Sequence, residues 1–330
     1  MMRLTRVEIR RLFSRRLTSV ALLGALVITG LILFGAYQLA KPLSGVQLTS
    51  QRAQFDQAHQ SWVLNGVQQF KECQKQQAIA QKSDPKVDFR CGDMEPKWAN
   101  WGKPKVNFAD LMHSTLLNWS YLIAFIGFII SAGFVGAEFS SGSMGNWLTF
   151  EPRRMRVYAS KLAAAGLGLI PATVALLGLL FGGVWLITAH YGSTAGTTDK
   201  MWNDLNWMAG RSLALEVVMA VVGAAMGALL RHTAAVVGIA LGYLVLIEGI
   251  FGRLFQRSAQ PWLLRLNMDG WLQHGTKYLI QTCKTDSQGN YRCDGVEKLL
   301  GFGHSSAYLG LLVVLVVGLS ATVFRRRDVN

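Results

Sequence analysis

The chain is short of charge. Only 16% of its 330 residues are Asp, Glu, Lys or Arg, against roughly a quarter in soluble globular domains. Acids are the scarcer sign, 19 against 33 basic residues. Cysteine is limited to four residues and proline to seven. No CxxC pair occurs, which leaves a zinc ribbon or finger little to build on. No GxxxxGK[ST] segment occurs either, so the chain carries no Walker-type phosphate loop. His59, His113, His190, His232, His274 and His304 fall into no catalytic or metal-ligand pattern with Cys, Asp or Glu in the apolar segments. The expectation is a non-enzymatic chain with no metal and no cofactor of its own. The net charge of +14 would suggest nucleic acid as a partner for a soluble protein. Here the apolar runs exclude that reading.

Hydrophobic residues make up 51% of the sequence, gathered into long runs, and mean hydropathy is +0.27. Six runs approach the roughly 20 residues needed to cross a hydrocarbon core. They are Leu17–Leu39, Leu116–Ala137, Leu162–Ile187, Trp207–Leu230, Thr233–Phe251 and Ala307–Phe324. The runs are continuous rather than alternating, so helices rather than barrel strands are expected. Pro171 should kink the third run or set its depth. The first run is longer than the apolar core of a signal peptide and lacks a small-residue cleavage site, so it reads as a retained span. The expected fold class is an all-α integral membrane protein with six transmembrane helices.

Basic residues set the orientation. Arg3, Arg6, Arg10, Arg11, Arg15 and Arg16 precede the first span. Arg153, Arg154, Arg156 and Lys161 follow the second, Arg231 the fourth, and Arg325, Arg326 and Arg327 the sixth. Those flanks carry only Glu8, Glu138, Glu151 and Asp328 as acids. Both termini are therefore expected to be cytoplasmic, including the 325–330 tail. Residues 1–16 alternate arginines with Leu4, Val7, Ile9, Leu12 and Phe13, the composition of a helix lying on anionic lipid headgroups.

Two polar insertions, 40–115 and 252–306, then fall outside. Cys73 and Cys91 lie in the first, Cys283 and Cys293 in the second, on the side where disulfides persist. Local pairings are favoured, because Cys283 and Cys293 flank a Gly289-Asn290 turn and could close a hairpin. A Cys/His site using His274 is the rival. Between Ser50 and Lys82 the first insertion suits a helix, with Phe55, Trp62, Val63, Val67 and Phe70 as its apolar face and Asp84-Pro85 as its stop. The second begins with Trp262, Leu263, Leu264, Leu266, Trp271 and Leu272, which suits interfacial helices. These insertions either cap the spans or form an outer gate or docking surface.

Within the spans, Arg211, Glu216 and Glu248 form a candidate charge pair or line a substrate path, since an intramembrane charge usually faces protein or water. Gly223 and Gly227, Gly238 and Gly242, and Gly178 and Gly182 have the spacing that allows helices to approach closely.

Residues 138–161 join the second and third spans with far more chain than a turn requires. They hold an acid (Glu138), a small-residue bend (Gly142-Ser143), apolar residues (Met144, Trp147, Leu148, Phe150), then Pro152, Arg153, Arg154 and Lys161. In this pattern and in its overall topology, the sequence resembles the permease subunits of type-2 ABC transporters. Ser143 stands where that family usually has Thr. The resemblance implies that Glu138, Gly142, Ser143, Met144, Trp147, Leu148, Pro152, Arg153 and Arg154 form a coupling helix. That helix would dock on a separate nucleotide-binding subunit, which would bring ATP and Mg. It also implies a second permease copy, more readily a homodimer, with the first and fifth spans in contact, in a bacterial plasma membrane. The implied activity is export of a drug, natural product, lipid, glycan or peptide. The alternative function is a membrane sensor or assembly scaffold with ligand-binding outer loops.

Overall fold

A computed structural model describes residues 2–82, 87–101, 103–252, 259–285 and 291–326. Helix α1 (Met2–Phe13) leads through a two-residue break into α2 (Arg16–Ala40). The first insertion follows as α3 (Gly45–Ser61), a π-helical turn at Trp62–Gly66 and α4 (Val67–Gln81). Ser44 starts α3 with a reciprocal cap, accepting from the Gln47 N–H while the Gln47 side chain accepts from Ser44. Cys73 and Cys91 form a disulfide across the return of the chain. Phe55 packs edge-on against Trp98 and Trp101 of the short α5 (Trp98–Trp101). Val63 and Val67, expected on the apolar face, remain exposed. Asp84-Pro85 lies outside the described residues.

The bundle continues with α6 (Phe108–Ser140), α7 (Ser143–Phe150), α8 (Arg154–Gly168) and α9 (Ile170–Tyr191). Next come α10 (Asp199–Leu230) and α11 (Thr233–Gly242), which runs into a π-helical segment at Tyr243–Phe251. After a short helix, α12 (Leu264–Leu272), a hairpin leads to α13 (Phe302–Arg326). Six of these helical stretches are long and apolar enough to cross a membrane, the arrangement of a multi-pass membrane protein. The third is broken at Leu169, and Pro171 sits in the first turn of α9, where its missing N–H costs no helical bond.

The core is built on α6 and α10. Trp119, Phe108, Met112, Leu116 and Leu180 are fully enclosed. Trp119 donates its indole N–H to Thr29 Oγ1 at 3.0 Å, tying α2 to α6. Ser120 donates to Ser212 at 2.7 Å between α6 and α10. Gly223 and Gly227 account for the closeness of that pair. A Cβ on Gly223 would stand 2.2 Å from the Phe128 carbonyl oxygen, and one on Gly227 2.8 Å from that of Ala132. This small-residue stripe is therefore used inside the chain. Gly178, Gly182, Gly238 and Gly242 have no atom within 4 Å of a Cβ position. Outward-facing side chains such as Val20, Leu23, Leu31, Val314 and Leu315 are exposed and apolar.

The first helix and the end of the last described helix reach the same end of the bundle. There α1, the end of α6, α7, the start of α8 and the end of α13 meet, with Phe324 against Phe139 and Tyr158. At the opposite end Lys103 donates to the Gln38 and Lys41 carbonyls at the close of α2, where a cation also complements the helix dipole.

The helical expectation holds for the six long apolar helices, and the second insertion departs from it. Among the described residues it holds a 3-10 turn at Gln260–Trp262 and a nine-residue α-helix, followed by antiparallel strands β1 (Gly275–Thr285) and β2 (Tyr291–Gly301). His274 and Gly275 both adopt positive φ, which turns the chain out of α12. Thr276, Tyr278 and Ile280 then supply side chains suited to a pleated ribbon. The register sets Cys283 directly opposite Cys293; their side chains and the Gly289-Asn290 turn lie outside the described residues.

Candidate functional site

The connector between α6 and α8 is held from beneath by charge. After Ser140 the chain reverses at Gly142, whose φ of +69° glycine adopts without steric cost. Ser143 opens α7 and donates its hydroxyl to the Glu138 carbonyl at 3.3 Å. Met144 is buried with Val135, Val157, Tyr158 and Phe324. Trp147 lies under the Arg11 guanidinium, 4.5 Å from its ring centre. At the end of α7 Phe150 is 83% exposed. Pro152 and Arg153 follow, both exposed, with Met155 and Arg156 exposed on the first turn of α8. Arg154 is partly buried and engaged with other groups. The Leu148 side chain lies outside the described residues.

Glu138 does not point away from the bundle. Its side chain is 2% exposed and receives Lys161 Nζ at 2.5 Å and Arg15 Nη2 at 2.8 Å. Lys161, equally buried, also reaches Glu8 Oε2 at 3.0 Å, and Arg11 stands 3.8 Å from Glu8 and 3.9 Å from Glu138. Five side chains from α1, the α1–α2 break, α6 and α8 thus form one alternating-charge cluster. Lys161 and Arg15 also lie over the Phe134 ring, at 5.0 and 5.5 Å. Such a cluster is stable only with all its members, because removing one leaves an uncompensated buried charge. It ties the N-terminal helix, the connector and the third span together.

Sequence reasoning placed Glu138 and Lys161 in one motif but gave them no partners. Glu8, Arg11 and Arg15 were missed as site residues. The available signal was Glu8 itself, the one acid in an arginine-rich segment that needs none for orientation.

The three intramembrane charges separate. Arg211 donates to the Leu272 carbonyl at 2.7 Å and lies 5.8 Å from the Phe302 ring. Among the described residues it pairs with neither glutamate. Glu248 instead caps α12, accepting from the Arg265 N–H and the Tyr243 hydroxyl, both at 3.1 Å, while Tyr243 accepts from the Leu264 N–H. A carboxylate at a helix N-terminus satisfies orphan donors and the dipole together. Glu216 is 1% exposed, and neither carboxyl oxygen has a hydrogen-bond partner among the described residues. On α12, Asp269 accepts from the Tyr121 hydroxyl. Burial pushes its carboxyl up to about 6.

No family model matches the chain, and no curated protein matches it significantly. Among the described residues no group of His, Cys, Asp and Glu is placed to hold a metal ion.

Proposed function

We propose that the protein is the membrane subunit of an ATP-driven exporter of the type-2 ABC kind. In this reading α7 is the coupling helix, and a separate nucleotide-binding subunit docks on it. The single observation that carries the proposal is the two-sided character of α7. Met144 is sunk in the apolar cluster with Val135 and Phe324 and Trp147 lies against Arg11 of the ion cluster, while Phe150 and the Pro152–Arg153 turn project freely. An exposed aromatic beside arginines is the composition of a protein-binding hot spot. A rigid mount beneath it can carry a push from the partner into α6, α8 and α1 together.

The remaining assignments rest on the same reading. The arginine-rich end faces the cytoplasm of a bacterial plasma membrane, in keeping with the positive-inside bias. The Cys73–Cys91 disulfide at the other end suits an oxidising exterior. Two copies pair around an export path, and ATP and Mg belong to the partner subunit. The test is purification of the tagged chain from its native membrane in mild detergent, followed by ATPase assays on the recovered complex. An ATP-binding subunit should co-purify and be lost with Phe150→Asp. Its absence from the wild-type preparation would overturn the reading.

A further inference from the structure

Glu216 is buried in the α6–α10 seam, and neither carboxyl oxygen has a partner among the described residues. Gly127 lies against it, and a Cβ placed there would stand 2.6 Å from Glu216 Oε1. Among the described residues, most titratable groups on the elements packed around α10 are engaged elsewhere. Lys161 on α8 holds Glu8 and Glu138, and Tyr158 donates to the Val317 carbonyl of α13. Arg211 on α10 itself is bound to Leu272, Asp269 on α12 to Tyr121, and His304 on α13 to Pro261. Asp110 and His113 on α6 and His190 and Tyr191 on α9 stand at the far helix ends, and α11 has no titratable residue.

An isolated carboxylate removed from water is neutralised rather than left charged. Three kinds of cation could serve: a metal ion, an organic cation or a proton. The first two need a coordination shell or a cavity; among the described residues no ligand cluster surrounds Glu216, and both its carboxyl oxygens are closed to solvent. A proton needs none. The surroundings are also graded. Ser120, Gly127, Ser131 and Glu138 are spaced by about seven, four and seven residues, close to whole helical turns when summed, and so share one face of α6. Ser120 is paired with Ser212, and Ser131 is buried with its hydroxyl unpartnered. Two buried hydroxyls thus share with Gly127 the face of α6 that ends at Glu138.

We propose that Glu216 is a proton-binding site inside the membrane, holding a neutral carboxylic acid against Gly127 in this conformation. Release of that proton requires water or a cation to reach Glu216, a rare event while the α6 and α10 backbones stay in contact. The site depends on the chain's membrane fold but not on any ATPase partner, so it stands or falls apart from the exporter reading.

Infrared spectroscopy of the full chain in lipid nanodiscs tests this. At about pH 8, well above the titration of Asp269 near 6, a protonated-carboxyl stretch should remain. Carbon-13 labelling of glutamate in the wild-type chain should move that band, and labelling of aspartate should not. Glu216→Gln should abolish it, whereas Asp269→Asn should leave it. Exchange into heavy water should be slow in the wild type and faster in Gly127→Ala, where the added methyl forces the seam apart. Absence of the band in the wild type, or its failure to move on glutamate labelling, would overturn the proposal without recourse to any variant. Persistence of the band in a folded Glu216→Gln chain would do the same.

Discussion

Lys161→Met would remove the cation closest to both Glu8 and Glu138 while keeping most of the side chain's length and volume. Lys161 Nζ lies 3.0 Å from Glu8 and 2.5 Å from Glu138. Glu138 would retain Arg15 at 2.8 Å, but Glu8 would be left with Arg11 at 3.8 Å. With Glu8 wholly buried and Lys161 2% exposed, solvent screening offsets little of the loss. Breaking a buried pair of this kind costs about 3–5 kcal/mol. The expected result is therefore a fall of that size in unfolding free energy, read by tryptophan fluorescence during denaturant unfolding in mixed micelles. Glu8→Gln combined with Lys161→Met should recover part of it, since the most isolated carboxylate is then gone and Glu138 still has Arg15. A double-mutant cycle with a coupling below about 0.5 kcal/mol, the scatter of independent sites, would refute the account of a shared cluster.

Other perturbations separate structure from function. Phe150→Asp should leave stability within about 0.5 kcal/mol, as exposed positions generally do, yet abolish recovery of an ATPase partner by affinity purification. Glu248→Gln should cost about 0.5–2 kcal/mol, the range for a lost helix cap, and raise amide exchange across Leu264–Leu272 in mass spectrometry. Asp269 holds its proton more tightly folded than unfolded, so stability should fall as pH rises from its ordinary value of 3.8 to about 6. Asp269→Asn should flatten that fall in thermal scans across the same window. Gly223→Ala should lower the melting temperature through its clash with the Phe128 carbonyl, whereas Gly238→Ala, in open space, should not.

The six spans were legible because lipid leaves the backbone few options and apolar length is read directly. Their ends were less so. α6 begins at Phe108 rather than Leu116, because Asn107 caps it through the Ala109 N–H and the polar turn with Asp110 and His113 continues the helix. Hydropathy marks where lipid ends, not where a helix does. The Cys73–Cys91 pairing followed from proximity in sequence. The Glu8–Lys161 contact did not, since those residues are 153 apart and nothing local links them. Arg211 was matched with glutamates because like attracts unlike on paper; a free carbonyl at Leu272 was nearer. The hairpin was foreseen only as a turn between cysteines, because eleven-residue strands are hard to tell from interfacial helices by composition.

The glycine contacts between α6 and α10 also constrain how the molecule can deform. Backbones in direct contact leave no compressible layer of side chains between them, so these two helices behave as one stiff beam. Bending has to be taken up around it: at the Leu169 break between α8 and α9, and in the π-helical Tyr243–Phe251 segment, whose hydrogen bonds are already out of α-helical register. A force applied at the connector would then be transmitted along the beam with little loss and appear as displacement of its lighter neighbours. The part of the chain that looks most like a core would serve as the lever, and the helices facing lipid would be the parts that swing.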